Sequence, residues 1–144
     1  MNYFEQTGYT ALRLWVYELA VENLRVNPHQ EKETRLRVSL EEYLKIIEKT
    51  GSVDDENFIK SLISQLQTEH FNGYIRKNEI GPLELKLWFF ELALDALEKT
   101  PNKEKTGHLN HWMDTSAYTM LNIYVDVKVK FIRLRKRLKK IMAP

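Results

Sequence analysis

The chain has 144 residues, of which 43% are hydrophobic and 29% charged, a composition typical of one ordinary globular domain rather than of a disordered chain. It contains no cysteine, which excludes disulfides, thiolate metal sites and cysteine nucleophiles, and its five glycines and four prolines favour helices over many short strands. No basic region precedes an apolar run at the N-terminus and no apolar stretch is long enough to cross a bilayer, so we expect a cytoplasmic protein without signal peptide or membrane span.

The net charge is only +2, but it is unevenly distributed along the chain. Residues 128–140 contain eight Lys and Arg and no acid, which leaves 14 basic and 20 acidic residues, a net charge of −6, for the rest. The sequence therefore predicts an acidic body with a basic C-terminal segment. The candidate contacts to nucleic acid or to an acidic partner are Lys128, Lys130, Arg133, Arg135, Lys136, Arg137, Lys139 and Lys140.

A repeat relates the two halves of the chain at an offset of 73 residues. Residues 12–32 align with residues 85–105 without a gap, and ten of the 21 positions are identical, including one tryptophan and one proline. The same offset pairs Phe58 with Phe131. We predict an all-α bundle of two tandem units with three helical segments each. The predicted organisation is a single domain, 1–144, with repeat units at about 8–72 and 81–142.

The first segment of each unit, about 8–26 and about 82–99, is apolar on most of its circumference. Helices that are apolar nearly all round are normally buried, so we place this pair at the centre of the bundle. The narrow polar stripe consists of Glu18, Glu22 and Arg25 in the first copy and of Glu84, Glu91, Asp95 and Glu98 in the second.

The other two segments of the first unit have recognisable ends. The second segment, about 32–50, carries apolar residues at helical spacing and stops at Gly51. Asp54 or Asp55 caps the third segment, whose inner face is apolar. The hinge between the units is predicted at Gly73 and 77–82.

The second unit lacks these signals, because no Gly or Pro occurs between His108 and Ala143. An apolar seam with a period of 3.5 residues runs through this part without interruption, which predicts that its second and third segments are fused into one long helix. Residues 123–131 also alternate as a strand would, but no other segment could pair with such a strand. A kink near Asp126 is compatible with the long helix. The seam consists of Met113, Ala117, Met120, Tyr124, Val127, Phe131, Leu134, Leu138 and Ile141.

Three stretches, 40–44 (LEEYL), 54–59 (DDENFI) and 91–93 (ELA), resemble a small all-helical family of uncharacterised proteins from Bacteroidetes. The resemblance covers about the central half of the chain. It implies an all-helical fold, but the family has no assigned activity, so the resemblance implies no functional residue.

One group of residues has a spacing suited to a metal ion. His108, His111 and Asp114 follow one another at three-residue intervals, and imidazole and carboxylate groups bind zinc at such spacings. His111 lies roughly opposite Met113 on the helix, however, and the group lacks the partners that orient metal ligands. We therefore interpret these residues as an exposed face and predict no metal site.

The matched carboxylates and tryptophans have a structural interpretation as well. Paired glutamates could bind two metals or transfer protons, but the Glu-x-x-His motif of di-metal bundles and any nucleophile with its base are missing. We interpret the carboxylates as the exposed stripe and the tryptophans as core. The prediction is a non-enzymatic chain without cofactor, catalytic residue or small-molecule substrate. These groups are Glu18, Glu22, Glu91 and Asp95, with Trp15 and Trp88.

The basic segment 128–140 is the feature that points to a function. It could contact nucleic-acid phosphates, an anionic membrane surface, or acidic surface on this chain or a second copy. Phe131 is the only aromatic residue in the segment, which disfavours the membrane. We expect a non-catalytic interaction protein that forms a homodimer through the long C-terminal helix, with a nucleic-acid-binding regulator as the alternative.

Overall fold

The computed structural model describes residues 8–66 and 81–143, and this part of the chain contains no strand. The all-α class predicted from the sequence is therefore confirmed. No helix in these ranges combines the length and the apolar character needed to span a bilayer. The six helices are α1 (Tyr9–Val26), α2 (Gln30–Thr50), α3 (Val53–Ser64), α4 (Pro82–Lys99), α5 (Lys103–Asn122) and α6 (Val125–Met142).

Side chains just before α2, α3 and α5 set where these helices begin. The ring nitrogen Nδ1 of His29 accepts a hydrogen bond from the backbone N–H of Lys32 at 3.1 Å. The Asn102 side chain accepts one from the N–H of Lys105 at 2.9 Å. Ser52 caps α3 in the same way, so the predicted cap at Asp54 or Asp55 is wrong, and both aspartates lie in the first turn. Each cap satisfies a backbone donor that the first turn of a helix leaves without a partner.

The helices α1 and α4 are the most deeply buried, as their apolar circumference predicts. They supply 17 of the 31 buried hydrophobic residues in the described part of the chain. Leu12, Leu14 and Tyr17 of α1 and Phe90 and Leu94 of α4 are fully buried. Burial of apolar side chains is the main favourable term in folding, so these two helices contribute more than half of the buried hydrophobic residues that stabilise the described part of the chain.

The chain divides into two compact units. One unit is Tyr17–Leu85, in which α2 packs against α3. The other combines Met1–Val16 with Lys86–Pro144, and there α5 packs against α6. The single domain and the repeat boundaries at 8–72 and 81–142 stay predictions. Most of the predicted hinge, Gly73 and 77–80, lies outside the described residues.

The predicted fusion into one long helix is wrong. The helix α5 ends at Asn122 and α6 begins at Val125, after Tyr124 in an extended conformation (φ −126°, ψ 136°). The alternative of a strand over 123–131 is also wrong, because α6 occupies 125–131. β-branched residues on both sides of Tyr124 weaken the helix locally, and a two-residue turn lets α6 fold back onto α5.

Folding back moves the apolar seam into the interior of the unit. Val127, Phe131, Leu134 and Leu138 are buried on α6, while Tyr124, which the seam also included, is 62% exposed. In a continuous straight helix these residues would not pack along α5. Burial of the seam therefore offsets the helical hydrogen bonds lost at the turn.

The helices α3 and α6 start 72 residues apart rather than 73. The helices α1 and α4 start 73 residues apart, as do α2 and α5, but α5 has 20 residues where α2 has 21. Counted from the first residue of each helix, fully buried Phe131 has the same position as fully buried Ile59, one residue after that of Phe58. The correspondence of the two halves, including the pairing of Phe58 with Phe131, stays a prediction.

Substitution of two neighbouring residues tests the burial of the seam. We expect Phe131→Ala to lower the free energy of unfolding by about 3–5 kcal/mol, because a buried ring leaves a cavity. We expect Ile132→Ala, at a residue that is 37% exposed, to lower it by less than about 1 kcal/mol. Urea unfolding followed by circular dichroism measures both. Equal losses would contradict the orientation of α6.

Candidate interaction surface on the last helix

The inner face of α6 is fully used within its own unit. The helix has 18 residues, a length of about 27 Å, and buries Val127, Phe131, Leu134 and Leu138. The ring of Phe131 lies 6.3 Å from that of Phe90 on α4. This packing fixes the rotation of α6 about its axis, and the rotation decides which basic residues point outward.

Two of the eight basic residues pair with acids of the same unit. Arg137 contacts Asp95 at 2.6 Å and also contacts Glu98, both on α4. Arg135 contacts Asp114 of α5 at 2.5 Å. Partial burial by itself would lower the pKa of Arg137, but its hydrogen bonds to Glu98 and Asp95 outweigh this effect and raise the pKa. These two arginines therefore tie α6 to α4 and α5.

The other six basic residues form what we call the cationic face. All six are exposed, and none makes an ion pair or a side-chain hydrogen bond within residues 8–66 and 81–143. From first to last they extend over about 18 Å of helix. The structure thus separates basic residues that stabilise the fold from basic residues that face solvent. The cationic face consists of Lys128, Lys130, Arg133, Lys136, Lys139 and Lys140.

Next to the cationic face lies an exposed apolar region, which we call the apolar tip. It surrounds the turn between α5 and α6, where Tyr118 is 82% exposed and Val125 is 77% exposed. The sequence does not reveal this region, because the turn contains no Gly or Pro to mark it. Phe131, the aromatic residue considered for a membrane contact, is buried instead. The apolar tip consists of Tyr118, Leu121, Ile123, Tyr124, Val125, Val129 and Ile132.

The three residues with metal-like spacing are occupied by other contacts. His108 lies 3.8 Å from Glu104 on its own helix, Asp114 pairs with Arg135, and His111 packs edge-on against Tyr9. The described residues contain no group of three or more His, Cys, Asp or Glu that could hold a metal ion.

The matched carboxylates divide between the two units. Glu18 and Glu22 belong to one unit, and Glu91 and Asp95 to the other. Burial, followed by repulsion from Glu22, raises the pKa of Glu18. Asp95 is held by Arg137. Glu22, Glu91 and Asp95 are exposed, as the interpretation of a polar stripe requires, whereas Glu18 is half-buried.

The two matched tryptophans are both buried, but in different surroundings. Trp15 is 4% exposed, and the ammonium group of Lys105 lies 5.6 Å from its ring centre. Trp88 is 9% exposed and its ring lies 5.8 Å from that of Phe89. Their burial agrees with the interpretation of both as core residues.

A small cavity lies in the unit Tyr17–Leu85. It is lined by residues that include Val21, Glu33 and Leu66, and Arg25 donates a hydrogen bond to Gln65 beside it. Its volume of about 10 Å³ is the space of one water molecule. It therefore leaves no room for a cofactor.

Lys86 is a half-buried cation on α4 whose ammonium group has no hydrogen bond or ion pair within the described ranges. Burial, followed by repulsion from the Arg13 charge, lowers its pKa. The unfolded chain therefore holds this proton more tightly than the folded chain does. By linkage, the charge of Lys86 opposes folding at neutral pH, and this opposition fades as the pH rises.

The same linkage predicts how Lys86→Met behaves. We expect the variant to have a higher free energy of unfolding at pH 7, and its stability to increase less than that of the unsubstituted chain between pH 7 and about 10.4, the pKa of unfolded lysine. Urea unfolding at several pH values measures this. Lys45→Met, at an exposed lysine, is the control, and identical pH profiles for the two variants would contradict the prediction.

Substitution of two arginines, one paired and one on the cationic face, tests whether only the paired basic residues of α6 stabilise the fold. We expect Arg137→Met to lower the free energy of unfolding by about 1 kcal/mol, because it leaves two carboxylates without their partner. We expect Arg133→Met, on the cationic face, to change it by less than about 0.5 kcal/mol. Thermal unfolding at low salt compares the two, and a greater loss from Arg133→Met would overturn this distinction.

Comparison with protein-family models, with curated proteins and with solved structures finds no match to this chain. The resemblance to a Bacteroidetes family therefore stays a prediction.

Proposed function

We propose that the chain is a non-catalytic interaction protein and that the cationic face of α6 binds a partner with an anionic surface. One observation carries the proposal: Arg135 and Arg137 are paired inside their unit, whereas the six other basic residues of 128–140 are exposed and unpaired within the described residues. Folding thus uses two of these charges and leaves six available.

The stability of α6 does not account for the cationic face. Lys139 and Lys140 lie in the last turn, where cations interact favourably with the helix dipole. Arg133 and Lys136 lie in the middle of the helix, three residues apart, and Lys136 is four residues from Lys140. Like charges at these spacings destabilise a helix by about 0.2–0.5 kcal/mol per pair. An anionic partner would relieve this repulsion.

Self-association stays a prediction, but its surface changes. The seam expected to join two copies is buried inside one unit of a single chain. A homodimer formed through α6 would have to use its outer face, and two such faces repel each other. The acidic remainder of a second copy, with its net charge of −6, is the surface that would attract it.

We also infer that the two halves are copies of one three-helix unit. The equal lengths of α1 and α4 and their 73-residue offset support this inference, as does the side-chain cap at the same position before α2 and α5. The copies then differ in function: α3 carries Lys60 as its one basic residue, whereas α6 carries eight.

Nucleic-acid binding is the second candidate function. Six cations along about 18 Å of one helix give the charge density that phosphate contacts require, and such contacts need little else. If all six neutralised phosphates, the logarithm of the binding constant would fall with the logarithm of salt concentration with a slope of about −5.

Charge reversal on α6 tests the proposed function. We expect Lys136→Glu/Lys139→Glu/Lys140→Glu to abolish retention on a heparin column and any binding to a fluorescent duplex at ~50 mM salt. The matched control is Lys45→Glu/Lys49→Glu/Lys103→Glu, which changes the net charge equally at exposed lysines outside α6.

Each outcome has a defined meaning. Loss of retention in the α6 variant together with retention in the control supports the proposal. Equal losses in both variants would show that net charge alone is responsible, and the proposal would be overturned. Retention on heparin without binding to any duplex would end the nucleic-acid candidate only.

A further inference from the structure

The apolar tip is an unusual concentration of exposed hydrophobic side chains. The described residues contain eleven large hydrophobic residues that are exposed, and seven of them lie between 118 and 132. The other four are scattered over separate helices and termini. Contiguous exposed apolar regions mark sites that bind proteins or membranes, whereas scattered ones need no explanation.

The apolar and basic residues follow a definite order along the axis of α6. Exposed apolar residues occur from Val125 to Ile132, over about 10 Å of helix. Lys128 and Lys130 lie beside these residues, toward the two flanks of the helix, and beyond Ile132 the outer face itself is basic, with Arg133, Lys136 and Lys140 in succession. The tip is therefore apolar at its end and increasingly cationic away from it.

This axial order matches the depth profile of a membrane surface. Amphipathic elements at membranes bury their apolar part about 5–10 Å deep, and Lys and Arg lie at the level of the phosphates above. Tyr118 and Tyr124 are exposed at the tip, and tyrosine is enriched at this interface. Asp126 is the one acid of α6. It lies about 100° around the helix from Val125, toward a flank of α6.

The two other classes of partner fit the order less well. A protein interface has an apolar core surrounded by a polar rim and is depleted in lysine, whereas here the outer face of α6 is apolar near the turn and basic beyond Ile132, and five of the six cations are lysines. A nucleic-acid duplex would account for the cationic face but gives no role to exposed Leu121, Ile123 and Val125.

We propose that the apolar tip inserts into the surface of an anionic lipid membrane while the cationic face of α6 contacts the lipid headgroups. This inference rests on the proposed function, since it names the anionic partner of the same face. Membrane binding then requires both regions. The apolar tip inserts between the lipids, and each Lys or Arg near the membrane surface strengthens binding roughly fivefold.

Vesicle cosedimentation tests the inference with vesicles of phosphatidylcholine alone and with about 30% phosphatidylserine added. We expect the unsubstituted chain to bind the anionic vesicles only. We expect Tyr124→Ser/Val125→Ser to weaken this binding at least tenfold. The variant removes two exposed hydrophobic side chains that would otherwise be buried in the membrane surface. The charge-reversed Lys136→Glu/Lys139→Glu/Lys140→Glu should lose it as well.

The tip variant is designed so that misfolding cannot explain its result. Tyr124 precedes α6 and provides no side-chain cap, so serine there adds the hydrogen-bond acceptor that the helix lacks. The melting temperature should therefore not fall. Val26→Ser/Val53→Ser, at residues that are 79% and 70% exposed away from the tip, is the matched control and should bind vesicles normally.

The outcomes separate the inference from the proposed function. No binding to anionic vesicles at tens of micromolar protein, or unchanged binding by the tip variant, would overturn the membrane inference. If heparin still retains the chain in that case, the proposed function stands without the membrane inference. Failure on both heparin and vesicles overturns both. Duplex binding without vesicle binding would assign the face to nucleic acid.

Discussion

The burial of Phe131 and its neighbours on the inner face of α6 is the contact on which the rest of the unit depends. Because Phe131 reaches Phe90 on α4, α6 must fold back along α5, and a turn must form at Ile123 and Tyr124. The same contact fixes the rotation of α6. Once the apolar seam faces inward, the basic residues between its members have only the outer side and the two flanks available.

Acidic residues on neighbouring helices then divide the basic residues into two groups. Asp95 and Glu98 on α4 and Asp114 on α5 bind the two arginines that lie on the flanks of α6. Arginine suits this position, because its planar guanidinium can donate to two carboxylates at once. Five of the six remaining cations are lysines, whose flexible side chains stay in water and suit a diffuse anionic surface.

The turn between α2 and α3 and the turn between α5 and α6 have the same length but different side-chain chemistry. Between α2 and α3 the turn is Gly51 and Ser52, with a side-chain cap and three acids in the following turn of helix. Between α5 and α6 the turn is Ile123 and Tyr124, without a cap and with exposed apolar side chains around it. Both turns have two residues, so the difference lies in the side chains. The first turn favours helix initiation, and the second exposes hydrophobic surface that folding does not require.

The sequence by itself determined the helical class, the deep burial of α1 and α4 and the position of the basic segment, because composition and periodicity are local properties that neighbours do not change. The break between α5 and α6 could not be predicted, since Ile123 and Tyr124 carry no turn signal and the seam continues across them. Which cations are free could not be predicted either. That depends on carboxylates about 20 to 40 residues away in the sequence, such as Asp114 and Asp95, and only the tertiary packing of α4, α5 and α6 brings them to Arg135 and Arg137.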